Sequence, residues 1–206
     1  GDWSSDVCPS DLKARKAYYI DDPALIEKLR ETIFINGAIN RDIVGKPSHQ
    51  VAKLAGIDIP EDTTILLLKV DKCGHDEVLA KEILAPVTRI FPYEKFEDAV
   101  EHARINMAME GAGHSSCIWS NDPAHIDLAA SRIPAGRVMV NQPATNGSGR
   151  QNNGLGQTVS LGCGYWGGNS VSHNVNFKDM LNYTIVSDVL DKKVLTPAEI
   201  MAELFN

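Results

Sequence analysis

The 206-residue sequence has no basic excess: 20 lysines and arginines stand against 27 aspartates and glutamates, a formal net charge of −7. A phosphate-binding face needs clustered positive charge, so the balance argues against nucleic acid as a partner. No apolar run reaches membrane length, and the longest, residues 65–68, is strand-sized. The polar start lacks the apolar core that marks a secretory signal. Only four cysteines occur, Cys8, Cys73, Cys117 and Cys163, at irregular spacings. In a chain of this size they read as free thiols of a reducing compartment, with disulfide pairing as the alternative. Internal repeats and low-complexity tracts are absent as well.

What is present is a globular composition, 43% hydrophobic and 23% charged, in a chain long enough for one domain with a real core. Residues 1–12 mix Trp, Ser, Asp, Cys and Pro without helical or strand period and resemble a translated sequencing adapter. They are expected to be a non-native leader that does not belong to the fold; the alternative is a loose native terminus. From Asp22 the pattern is regular. Asp22 can cap a helix and Pro23 suits its first turn, and Leu25, Ile26, Leu29, Ile33 and Phe34 follow at helical spacing. A short helix over 49–55 stops at Gly56. Residues 63–70 and 87–93 read as buried strands, 94–109 as an amphipathic helix, 114–120 as a strand, 123–132 as a helix opened by Asp122, and 137–141 as a strand. Alternating strands and helices predict an α/β fold with right-handed crossovers in a parallel sheet. The site is then expected in loops at the carboxyl ends of the strands, among them 111–113 and the chain from Gln142 onward.

Residues 146–169 are too rich in glycine for a helix and must be loop. Leu155, Val159, Leu161, Tyr165 and Trp166 are interleaved there, which predicts an ordered loop that borders a site, against the alternative of a flexible linker. Residues 183–186 read as a strand. A last helix starts cleanly, with Thr196 as cap, Pro197 first and Glu199 third.

Several motifs in this order resemble one family. Glu82-Ile83-Leu84-Ala85-Pro86-Val87 is similar to the Glu-[Ile/Leu]-Phe-Gly-Pro-Val motif of the aldehyde dehydrogenase superfamily, and Gly113 to Trp119 and Ala135 to Asn141 are similar to two of its strands. Gly113-His114-Ser115-Ser116, the Ser160 to Ser170 segment and the Gly37 to Pro47 stretch resemble the CoA-acylating branch, including the N-terminal module of bifunctional aldehyde–alcohol dehydrogenases. The resemblance runs over residues 13–187 and implies a parallel-sheet catalytic domain of the aldehyde dehydrogenase fold, incomplete here; beyond it, residues 188–206 read as a helical tail from the Thr196 helix start.

The resemblance implies an oxidoreductase that interconverts an aldehyde and its acyl-CoA with NAD or NADP, through a cysteine thiohemiacetal and thioester, with coenzyme A as co-substrate. It places the nucleophilic cysteine upstream of this chain, so the chain alone is expected to be inactive. It implies small-molecule partners, no membrane, a homo-oligomeric parent, and a bacterial cytoplasmic location or a microcompartment. Glu82 matches the residue that hydrogen-bonds the nicotinamide ribose, for which an acceptor-only carboxylate is suited; the plain alternative is a solvated Glu beside Lys81. Leu84 falls where relatives carry Phe against the nicotinamide, or is a plain core leucine. His114 faces the active site in this branch and is the possible auxiliary catalyst, or is a hydrogen-bonded core histidine. With Leu161, Cys163 and Trp166 it is expected to line the substrate pocket. Other readings use the same residues: a hydrolytic aldehyde dehydrogenase, a non-catalytic oligomerisation or binding module built on 183–186, or a zinc site from Cys73, His75, His114 and Cys117, whose spacing departs from the compact knuckles of structural zinc sites. No metal is expected.

Overall fold

The computed structural model describes residues 14–189, 191–192 and 194–204. Residues 1–12, read above as a leader, lie outside the described residues. The chain falls into two compact units, Gly1–Val175 and Asn176–Asn206.

In the first unit, strand β1 (Ala17–Ile20) leads to helix α1 (Pro23–Ile33). The Asp22 carboxylate accepts the Ala24 N–H at 2.8 Å and Pro23 occupies the first turn. Ile26, Leu29 and Ile33 recur at three and four residues and are the buried stripe of α1. A hairpin follows, β2 (Phe34–Ile35) antiparallel to β3 (Ala38–Ile39). Its two-residue turn, Asn36 and Gly37, has positive φ at both positions, which Asn and Gly adopt at least cost. Helix α2 (Ser48–Leu54) ends one residue ahead of the Ala55–Gly56 stop, with Gly56 at φ +70°.

Strand β4 (Ile65–Lys69) lies between β1 and β5 (Val87–Ile90), and all three are parallel. Leu66, Leu67 and Leu68 are all buried, so the unbroken apolar run reflects a central strand covered on both faces. The main core packs Leu66 and Leu68 against Ile20, Leu29, Ile33, Val51, Leu79 and Val87. Helix α3 (Phe96–Met109) leads to β6 (Ser115–Ile118), which is joined by α4 (Pro123–Arg132) to the parallel strand β7 (Arg137–Val140). Val100, Ile118 and Ala129 form a second, smaller core there.

The link from β4 to β5 is a pair of 3₁₀ turns, Gly74–Asp76 and Val78–Ala80. The α/β class and the parallel strands agree with the sequence reading, but the connectivity differs in one place. Although joined by α3, β5 and β6 do not pair: β6 and β7 form a separate two-stranded sheet. A strand–helix–strand order fixes handedness, not whether the two strands are neighbours.

In the second unit, Asn176 and Asp179 cap a 3₁₀ turn at Phe177–Met180. Residues 183–186 form no strand. Ile185 and Val186 are 89% and 90% exposed. A β-prone segment gains a ladder only when it pairs with another strand, and the second unit has no other strand among its described residues. Helix α5 (Pro197–Leu204) has the expected start: Thr196 N–H donates to Glu199 Oε2 at 2.8 Å and Glu199 N–H to Thr196 Oγ1 at 3.3 Å. Among the described residues no helix is long and apolar enough to cross a membrane.

Candidate active-site cleft

The cleft is built on the segment between β4 and β5. Glu77 separates its two 3₁₀ turns and is 3% exposed. Its Oε1 accepts the Leu79 N–H at 2.9 Å and the Arg30 Nε–H at 2.9 Å; Oε2 accepts Arg30 Nη2 at 2.7 Å. Burial alone would raise the Glu77 carboxyl, but the bonds from Arg30 and Leu79 and the charges of Arg30 and Lys72 outweigh it and hold the pKa below the ordinary range. Arg30 also meets Glu27, one helical turn back. The segment beyond is tied at three further points: Lys81 Nζ donates to Gly37 O at 3.0 Å, Glu82 N–H to Glu110 Oε2 at 2.8 Å, and Gly45 N–H to Leu84 O at 2.8 Å.

These ties leave a cleft of about 650 Å³ between the β2–β3 hairpin, residues 80–84 and the end of α3. Glu82, Leu84 and His114 all line it, the first two from residues 80–84 and the third from the turn before β6. Glu82 is exposed and Leu84 is 49% exposed, so neither is spent in the core. His114 Nδ1 lies 2.9 Å from Gly111 O. A carbonyl only accepts, so that bond puts the proton on Nδ1 and leaves the Nε2 lone pair free. Arg89, Asn106, Met107 and Glu110 complete the polar and apolar lining. The sequence reading missed Arg89 and the hairpin; a lone Arg in an apolar strand and the Asn36–Gly37 pair are the signals that point to them.

The cleft lies at the approach to the strands. Leu84 precedes β5, and His114 immediately precedes β6. Gly111 to Gly113 likewise lead into β6 and do not leave a strand. This cleft is walled by the connection between β4 and β5 and by the end of α3.

Leu161, Cys163 and Trp166 are not in this lining. They belong to the glycine-rich loop, which packs behind the His114 turn. Gly113 has φ +84°, and a Cβ there would stand 2.1 Å from Cys163 O, so only glycine allows the approach. The loop is ordered mainly by polar groups. Arg137, 9% exposed, donates from Nε to Asn174 Oδ1 at 2.7 Å and from Nη1 to Gly162 O at 3.1 Å. Asn174 in turn donates to Gly147 O at 2.9 Å and Gly156 O at 2.7 Å. Val159, Tyr165 and Trp166, taken from the sequence as the apolar anchors, are exposed. Cys73, Cys117 and Cys163 are free thiols. Among the described residues no three His, Cys, Asp or Glu side chains gather as a metal site.

The sequence profile described as "Aldehyde dehydrogenase family" matches residues 65–176, more than half of the chain and most of the cleft lining, the β2–β3 hairpin excepted. The chain belongs to the aldehyde dehydrogenase family. Among family members it is 43% identical over 166 residues to a succinate-semialdehyde dehydrogenase (acetylating) of Clostridium kluyveri, covering 81% of this chain and 37% of that protein. It is 38% identical over 167 residues to a bifunctional aldehyde–alcohol dehydrogenase of Escherichia coli, covering 79% of this chain and 19% of that protein. The structure superposes on an acetylating aldehyde dehydrogenase from Geobacillus thermoglucosidasius with a TM-score of 0.78 and 30% identity, over 90% of this chain and 41% of that one. The chain thus spans well under half the length of these relatives.

Proposed function

We propose that the chain is part of a CoA-acylating aldehyde dehydrogenase that interconverts an aldehyde and its acyl-CoA with NAD or NADP, by way of a cysteine nucleophile lying outside this chain. The observation that carries this reading is the convergence of Glu82, Leu84 and His114 on one cleft. The similarity to acetylating relatives supports the same branch.

The residues fit a nicotinamide nucleotide. The exposed Glu82 carboxylate accepts only, which suits a pair of ribose hydroxyls, and the half-exposed Leu84 offers an apolar face to a flat ring. Bound there, the nucleotide supplies hydride transfer. His114 handles a proton. With Nδ1 engaged by Gly111 O, its Nε2 can take the proton of the CoA thiol as sulfur attacks the acyl thioester and the enzyme thiol leaves. Leu161, Cys163 and Trp166 are proposed to border the pocket from the glycine-rich loop. Cys163 is not the nucleophile in this reading, because it sits behind Gly113 and outside the cleft lining. The exposed apolar side chains of Phe177, Met180, Ile185 and Val186 support homo-oligomeric assembly of the whole protein. A bacterial cytoplasmic or microcompartment setting accords with the free thiols.

The test is product analysis on the full-length parent given acetaldehyde, NAD and CoA. Acyl-CoA formation in step with NADH is expected. Free carboxylate formed at the same rate without CoA favours the hydrolytic alternative and overturns the acylating assignment.

A further inference from the structure

Two adjacent residues close α3 and reach two different parts of the cleft. Glu110 ends the helix, its N–H donating to Asn106 O at 3.1 Å. Gly111 follows at φ +93°, a turn that glycine adopts at least cost. From this corner the Glu110 carboxylate accepts the Glu82 N–H at 2.8 Å, and the Gly111 carbonyl faces His114 Nδ1 at 2.9 Å. Glu82 depends on such a hold. It is exposed, and among the described residues its own carboxylate enters no ion pair. An exposed side chain without a partner takes its position from its backbone. The neighbouring residues are tied elsewhere: Arg89 Nη2 donates to Ala80 O at 3.2 Å, Lys81 Nζ to Gly37 O and Gly45 N–H to Leu84 O. The bond to residue 82 itself comes from Glu110. Two carboxylates then line one cleft, where like charges repel. Arg89 offsets this on the Glu110 side. Burial pushes its pKa down, and the charges of Glu110 and Glu77 oppose that fall. Glu110 thus meets a peptide N–H within the field of a cation, and the Glu82 carboxylate stays open to a ligand.

We infer that Glu110 is a positioning residue for the nucleotide: its carboxylate fixes residue 82, and through it the place where the Glu82 carboxylate meets the ribose hydroxyls. The role deepens the proposed function and rests on it for the identity of that ligand. Glu110 acts through Glu82. Gly111 serves His114 through its backbone carbonyl, so a change of the Glu110 side chain leaves that second hold in place. An amide oxygen at position 110 still accepts the N–H, whereas a methyl group does not. The two substitutions therefore separate the bond from the bulk of the side chain.

The first measurement is amide hydrogen exchange at Glu82 in the 206-residue chain. The Glu82 N–H is expected to exchange slowly in the unmutated chain and in Glu110→Gln, and about tenfold faster or more in Glu110→Ala. The second uses the full-length parent. Glu110→Ala is expected to weaken nucleotide binding or slow NAD reduction by about three- to tenfold, and Glu110→Gln to keep most of the native rate. Acyl exchange between CoA thiols should change much less in both. In a Glu82→Ala background no carboxylate remains to be placed, so adding Glu110→Ala is expected to cost less than about twofold more. A merely structural Glu110 predicts additive losses instead. Unchanged exchange at Glu82 in Glu110→Ala, additive losses in the double variant, or equal losses in NAD reduction and acyl exchange overturn the inference. None of these outcomes touches the CoA dependence of the product, so the two readings fail separately.

Discussion

Arg30 holds Glu77 with two parallel hydrogen bonds, Nε to Oε1 at 2.9 Å and Nη2 to Oε2 at 2.7 Å, across 47 residues of sequence. The pair fastens α1 to the start of the segment that walls the cleft. Glu77 is buried and Arg30 is partly open, so breaking the pair strands one charge in the interior. Arg30→Met is therefore expected to destabilise the chain by about 2–4 kcal/mol, discounted from a fully buried pair for the exposure of Arg30. Denaturant unfolding measures it, and a change below about 0.5 kcal/mol contradicts the role.

The same pair sets an acid response. The folded carboxyl of Glu77 is depressed below its ordinary value of 4.5. Its contribution is therefore fully present above that value and is lost as pH falls through the lower folded pKa. Glu77→Gln is expected to flatten the stability curve in this acid window and to lower stability at neutral pH. Melting temperatures of both proteins between pH 3 and pH 7 give the comparison; parallel curves refute the assignment.

Glu82 and His114 are expected to separate by step in the full-length parent. Glu82→Gln keeps size but weakens the acceptor, and should slow NAD reduction or weaken nucleotide binding by about one to two orders of magnitude, while acyl exchange between CoA thiols changes much less. Equal losses in both rates mean a structural Glu82.

His114→Phe should show the reverse. Acyl transfer to CoA is expected to fall by about a hundredfold or more, with a first-turnover burst of NADH preserved. Loss of the burst together with the steady rate removes His114 from the transfer step.

Gly113→Ala places a Cβ 2.1 Å from Cys163 O on a backbone at φ +84°. The glycine-rich loop must then move off the His114 turn. A loss of more than about 2 kcal/mol and faster proteolytic cutting within residues 146–175 are expected; an unchanged cutting pattern shows that the contact is dispensable.

The 206-residue chain by itself is expected to form no NADH from acetaldehyde and CoA, since the proposed nucleophile lies outside it and Cys163 lies outside the cleft lining. Turnover at ordinary enzyme rates contradicts this reading.

Local signals in the sequence determined what local physics can determine. Asp22–Pro23, Asp122–Pro123 and Thr196–Glu199 set three helix starts, because a cap is satisfied within a few residues of itself. The triple leucine of β4 announced a strand buried on both faces. Motif order placed the chain in its family and singled out Glu82, Leu84 and His114. Only the tertiary structure decided which strands became neighbours, left residues 183–186 without a ladder, and showed that Arg137 and Asn174 order the glycine-rich loop more than its aromatic residues do. It alone set Arg89 against Ala80 O, where Nη2 donates at 3.2 Å. Pairing, burial and charge balance depend on groups far apart in the chain, and no window of sequence contains both partners.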